Sequence, residues 1–145
     1  MQQKQNKPSE EKPKAEFTAQ DRLIAAVRVR GLARVTGEIV DTLQMLNLHK
    51  KNYCSVYIDT PSIRGMLMKG KDYITYGEID FATYQELLTK KGEQDVRKGC
   101  LKKFFRLSPP RKGFGRKGIK VPFANSGALG YRKDNKMKDL LVRML

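Results

Sequence analysis

Tyr53-Cys54-Ser55-Val56-Tyr57-Ile58-Asp59-Thr60-Pro61-Ser62-Ile63-Arg64-Gly65-Met66-Leu67 contains both kinds of regular element and the switch between them. The first six residues alternate, with Cys54, Val56 and Ile58 on one side and Tyr53, Ser55 and Tyr57 on the other, the period of a strand. Thr60 then supplies a side-chain acceptor for a helix start, and Pro61 suits the first turn, where its missing N–H is not needed. Ile63, Met66 and Leu67 make the apolar side of a short helix that Gly70 ends.

The same alternation extends in both directions. Upstream, Leu23, Ala25, Val27 and Val29 alternate with Ile24, Ala26, Arg28 and Arg30, so one face is wholly apolar and the other turns basic before Gly31. This predicts a half-buried strand. A helix follows from Thr36 or Gly37, with Ile39, Leu43 and Leu46 at helical spacing and Val40 and Met45 widening the stripe. Glu38 and Asp41 lie in its first turn, where the helix dipole favours them. Asn47 to Asn52 close it with cations and two Asn. Downstream, Tyr73 to Tyr76 predict a third, short strand. Asp80 caps a third helix, with Phe81, Tyr84, Leu87 and Leu88 as its buried stripe and Gly92 as its end. Strand and helix alternate three times, which suggests an α+β two-layer unit with helices on one face of a small sheet. The alternation alone leaves parallel and antiparallel strand order open. A core of roughly 70 residues is near the lower limit of independent stability, so support from a partner is expected.

The chain has 145 residues, and 39% are hydrophobic, low for a full-length globular core. No apolar run approaches a membrane span, and no membrane partner is expected. Met1 to Glu16 mix Lys with Glu and lack an apolar stretch, unlike a secretory signal or transit peptide. Cys54 and Cys100 fit no disulfide or zinc spacing, so reduced thiols in the cytosol are expected.

Charge is concentrated at one end. Residues 97–145 carry 15 cations against 2 carboxylates, and so account for +13 of the net +15. Pro109 to Gly118 are too rich in Pro, Gly and cations to fold alone. Such a field needs a polyanion, and nucleic acid is the first candidate. Phe104, Phe105, Phe114, Phe123 and Tyr131 are spaced through the stretch, as in a segment that folds onto RNA. Ile119, Val121 and Phe123 alternate with Lys120 and Pro122. A last helix, with Asp134 as cap, aligns Met137, Leu140, Leu141 and Met144 into a stripe that should dock on the core. Three parts are therefore expected: a mobile polar tail over 1–20, a core over 21–92, and a basic extension over 93–145.

Thr42-Leu43-Gln44-Met45-Leu46-Asn47-Leu48-His49-Lys50-Lys51, followed by Asp59-Thr60-Pro61-Ser62-Ile63-Arg64-Gly65-Met66-Leu67, closely resembles the signature of the large-subunit ribosomal protein thirty family, protein seven in eukaryotic nomenclature. Asp72 to Ile79, Pro109 to Phe114 and Gly127 to Tyr131 look like its longer archaeal and eukaryotic branch, and the chain looks archaeal-like, with a long C-terminal extension and no extended basic N-terminus. Asn47 departs from the pattern, where Gly is common, but it tolerates a left-handed helix end. The resemblance implies a ferredoxin-like core with helices on one face of an antiparallel sheet, and a basic, largely extended arm ending in a helix. It implies large-subunit ribosomal RNA and neighbouring ribosomal proteins as partners. It implies no catalysis, cofactor, metal or small-molecule substrate.

RNA-contact candidates carried over with the signature are Arg28, Arg30, Lys50, Lys51 and Arg64; Arg34 joins them by charge. In the extension, charge alone nominates Arg97, Lys98, Lys102, Lys103, Arg106 and Arg111. It also nominates Lys112, Arg116, Lys117, Lys120, Arg132 and Lys133, with Phe114 as a stacking surface. Each rival motif lacks its context. Gly113 to Gly118 match a dinucleotide loop formally, but prolines precede it and no helix opens after it. Lys112-Gly113-Phe114-Gly115 begins like an RNA-recognition motif and continues with Arg116 and Lys117 instead of apolar residues. Val27 to Gly31 resemble an acylphosphatase loop without the run that should follow. His49 is the only histidine and sits beside two lysines, so an exposed place is expected for it. The carboxylates are scattered among caps and turns, so no pair serves acid–base work. A structural ribosomal protein is therefore expected. The alternatives are a non-ribosomal RNA-recognition or DNA-compacting protein, or an acylphosphatase-like enzyme.

Overall fold

The structure, a computed structural model, describes residues 17–133 and 135–145. β1 (Leu23–Arg28), α1 (Gly37–Met45), β2 (Tyr53–Ile58), α2 (Pro61–Lys69), β3 (Ile74–Ile79) and α3 (Phe81–Lys91) follow in the expected order. β1 is central and antiparallel to both neighbours, with Leu23 opposite Ile58 of β2 and Ile79 of β3. β3 runs three residues past the expected end at Tyr76. Gly77 and Glu78 are weak strand formers, but their pairing with Ala25 and Ile24 holds them in the ladder.

Local chemistry fixes the helix ends. Asn47, at φ +54°, takes the left-handed conformation. Leu48 N–H then donates to Leu43 C=O and Asn47 N–H to Gln44 C=O, both at 2.9 Å. This pair of bonds is a Schellman termination, and its usual apolar contact is present because Leu43 and Leu48 are buried in one cluster. The Tyr57 hydroxyl donates to Leu46 C=O at the same helix end. Thr60 caps α2 by accepting from Ile63 N–H at 3.3 Å, with Pro61 in the first turn. Met45, expected in the stripe of α1, is instead 71% exposed, because the stripe is already filled by Leu43 and Leu46.

All six residues of β1 are buried, so the expected half-exposed strand is not found. Alternate side chains enter two separate cores. Ile24 and Ala26 pack with Leu43, Leu46, Leu48 and Leu67 of the α1–α2 side. Leu23, Ala25 and Val27 pack with Tyr84, Leu87 and Leu88 of α3 and with the C-terminal helix. The α+β, ferredoxin-like arrangement therefore holds for β1–α1–β2–α2–β3, whose two helices share one face. α3 departs from it by covering the other face.

The C-terminal extension completes that second face. α4 (Lys136–Met144) buries Met137, Leu140, Leu141 and Met144 completely, and so docks as its stripe predicts. The cap expected at Asp134 lies outside the described residues; Asn135, at φ +55°, stands at the N-cap. β4 (Phe105–Arg106) pairs antiparallel with Tyr53 and Cys54, and β5 (Gly130–Tyr131) pairs parallel with Thr75 and Tyr76. The order is β4-β2-β1-β3-β5, a mixed sheet where the resemblance implied an antiparallel one.

The basic arm is irregular but pinned. Ser108 N–H donates to Met144 C=O at 3.1 Å, and Arg111 N–H to Arg143 C=O at 3.2 Å. Arg143 returns bonds to Arg111 C=O and Gly113 C=O. Phe114, Ala128 and Leu129 pack on Val29. Ile119 to Phe123 do not run extended as expected; a turn, one bridge from Pro122 to Leu129 and a 3-10 turn at Phe123–Asn125 replace the strand. Pro122 has no N–H for a ladder. Phe17, assigned to the tail, packs on Tyr84 at 5.0 Å between ring centroids; the rest of the expected tail before it lies outside the described residues.

Candidate nucleic-acid interface

Antiparallel pairing brings the C-terminal end of β1 beside the starts of β2 and β3. Arg30, which follows β1, is thereby grouped with Lys50 and Lys51, which precede β2, and with Arg106, paired opposite Tyr53; Arg34 lies farther along the loop after β1. Arg34, Lys50, Lys51 and Arg106 are exposed, and Arg30 is half-buried. The stem of Lys51 crosses Gly31, where a Cβ would lie 3.3 Å from its Cε. Arg30 lies over the Tyr73 ring at 5.1 Å and donates to Asp72 C=O, which holds its guanidinium beside the β3 start. Phe104 stacks on Tyr53 at 4.9 Å with planes 6° apart, and the exposed His49 meets its edge at 6.1 Å. Cations around partly exposed aromatic rings can hold phosphates and stack bases. Glu38, on the neighbouring α1, is paired with Lys69 at 3.3 Å.

Two sequence candidates do not belong to this surface. Arg28 is 3% exposed, and its guanidinium donates to Arg30 C=O at 2.9 Å, Leu48 C=O at 3.1 Å and His49 C=O at 2.6 Å. It ties the end of α1 to the sheet. Arg132 is 4% exposed and donates to Thr75 Oγ1 and Phe114 C=O, both at 2.8 Å, while lying over Phe123 at 4.7 Å. Burial lowers its pKa to about 10, so it remains charged at neutral pH. Buried arginines need such acceptors, and sequence spacing alone does not reveal them.

Three further candidates are partly neutralised. Arg64 forms a bidentate pair with Asp59 and lies 3.6 Å from Glu78. The hydrogen bond from Arg64 holds the Asp59 carboxyl below its ordinary value. Lys102 donates to Glu93 at 2.8 Å, and Arg106 approaches the same carboxylate at 3.6 Å. By contrast, Arg97, Lys98, Lys103, Arg111, Lys112, Arg116, Lys117, Lys120 and Lys133 are exposed, and none forms an ion pair among the described residues. Phe114, nominated for stacking, is half-buried against the core and serves as an anchor. Lys136 was not nominated. It stands 5.5 Å from the Phe123 ring, and its place just before the buried Met137 was the available signal.

Among the described residues no group of His, Cys, Asp and Glu could hold a metal, and no helix is long and apolar enough to cross a membrane. Cys54 is buried and Cys100 exposed, both unpaired. The family model described as Ribosomal protein L30p/L7e matches residues 24–74, which span β1 to the start of β3. The chain is 42% identical to the large ribosomal subunit protein uL30 of Nanoarchaeum equitans, over 85% of this chain and 99% of that protein. It is 40% identical to the uL30 of Methanococcus maripaludis over 83% and 98%, and 39% identical to that of Methanopyrus kandleri over 81% and 100%. The similarity thus extends well beyond the matched core into the pinned extension, and the chain belongs to the ribosomal protein L30p/L7e family.

Proposed function

We propose that this protein is a structural, non-enzymatic constituent of the large ribosomal subunit that binds and stabilises folded large-subunit ribosomal RNA. The basic end of the sheet and the pinned arm make the contacts, and neighbouring ribosomal proteins are its other partners. The observation that carries this reading is the set of exposed, unpaired cations on a rigidly anchored arm, in a chain whose relatives are named as large-subunit proteins. Lys and Arg displace condensed counterions at phosphates, and recognition depends mainly on RNA shape, with 2′-hydroxyl contacts separating RNA from DNA.

The test is the salt dependence of binding to a large-subunit RNA fragment. Each phosphate contact contributes roughly 0.7 to 0.9 to the slope of log affinity against log salt. Replacing Arg34, Lys50, Lys51 and Arg116 together by Gln should flatten that slope by about 3 units, at that rate per lost contact. An unchanged slope, or equal competition by duplex DNA, would overturn the reading.

A further inference from the structure

Arg116, from the glycine-rich loop, and Lys133 and Lys136, from the turn that leads into α4 and from its first residue, surround one cleft of about 660 Å³. Its other walls include Phe123, Tyr131 and the backbone at Gly115 and Gly127. The three cations form no ion pair among the described residues, and no described lining residue is a carboxylate. Like charges gathered around one concavity repel unless an anion enters it. The walls are too tightly built to close by small shifts. A Cβ at Gly115 would lie 2.4 Å from Gly127 O, and one at Gly127 would lie 2.0 Å from Val121 O. Backbone packs directly on backbone there, so the cleft is a preformed feature of the loop. The bond from Lys117 N–H to Ser126 C=O at 3.1 Å and that from Phe123 N–H to Leu129 C=O at 2.7 Å hold it open.

We propose that this cleft takes one unpaired nucleotide of the bound RNA. Its phosphate sits among Arg116, Lys133 and Lys136, and its base lies against the half-buried Phe123 ring. The volume falls within the range of small-ligand clefts, roughly 300 to 1,000 Å³. Unpaired bases that splay from folded RNA are commonly captured on an aromatic side chain, whereas a paired and stacked base has no free face to offer one. Lys136, resting over Phe123 without a ligand, is placed to move from the ring to the phosphate. The proposal rests on the RNA-binding reading above and adds a site that discriminates bulged from continuous helices.

The experiment compares the full chain binding to two short RNA duplexes, identical except that one carries a single unpaired adenosine. Fluorescence anisotropy gives both affinities, and 2-aminopurine at the bulge reports its stacking. The bulged RNA should bind about tenfold more tightly, in line with the worth of one captured base. Arg116→Gln combined with Lys133→Gln, at exposed positions that leave the fold intact, should reduce the preference below about twofold, since the anchored phosphate supplies much of it. Phe123→Leu should reduce it while retaining apolar packing, and should abolish the 2-aminopurine response. Lys50→Gln with Lys51→Gln should weaken both RNAs equally. Equal wild-type binding to the two RNAs, or a preference that survives both cleft variants, overturns the cleft assignment and leaves general RNA binding standing. Failure to bind either RNA overturns the cleft assignment; failure to bind the large-subunit RNA fragment as well overturns the general reading.

Discussion

Between Leu23 and Ile79 three six-residue strands pair over ladders of five and six residues, whereas from Glu93 to Tyr131 the ladder consists of two-residue strands and isolated bridges. Both regions are nevertheless anchored: Leu43, Leu46 and Leu67 are fully buried in the first, Leu107, Ala128 and Leu129 nearly so in the second. The first region is ordered by repetition, because each ladder bond places the next. The second is ordered by a few individual contacts: Arg132 to the Phe114 carbonyl, Arg143 to those of Arg111 and Gly113, and the Gly115–Gly127 approach. Irregular backbone is therefore not the same as loose backbone. A segment with little secondary structure can hold its cations in fixed places, provided that well-positioned donors satisfy its carbonyls.

The contrast can be broken most sharply in the cores. Leu67→Ala in α2 and Leu140→Ala in α4 each empty a fully buried site, and each should cost about 2 to 5 kcal/mol in urea unfolding. Equal costs would show that α4 belongs to the core as fully as α2; a near-zero cost for Leu140→Ala would show a detachable helix. Arg132→Met comes next. It removes the donors to Thr75 and Phe114 from a buried site and should cost about 2 to 3 kcal/mol. Hydrogen exchange should rise across 114–129 and stay unchanged in β1; a rise in both would mean that the arm and sheet are one cooperative unit. The smallest effect belongs to the Arg64–Asp59 pair. Asp59 has a depressed folded-state pKa, so its contribution is present above its ordinary value of 3.8 and fades as pH falls through the folded value. The melting-temperature gap between wild type and Arg64→Ala should be small at pH 7 and close on acidification; a gap independent of pH would exclude the ion pair as its source.

The first region was legible because its information is periodic. Strand β2, the Thr60 cap and the Asn47 helix end could all be read from spacing and residue type. The burial of β1 on its α1–α2 side could not, since Ile24 and Ala26 look the same whether they meet α1 or solvent. The stripe of α4 showed that it must dock, but not on which side of the sheet. Single contacts made the rest opaque. Arg28 and Arg132 look like any surface cations in sequence, and only the carbonyls brought to them by distant segments reveal their role. The exposed arm cations were legible as charge, whereas the convergence of Arg116, Lys133 and Lys136 depends on how the Gly115–Gly127 loop closes.

The placement of β4 and β5 has a consequence for how the molecule is made. These two short strands cap opposite edges of the sheet, one against β2 and the other against β3, and both come from the late part of the chain. While the ribosome is still synthesising residues beyond α3, the sheet has both flanks bare, and bare flanks recruit other strands. The nascent chain therefore passes through an adhesive stage that ends only when residues 105–131 emerge and close it. Folding helpers acting on this protein should engage it before that point and release it after.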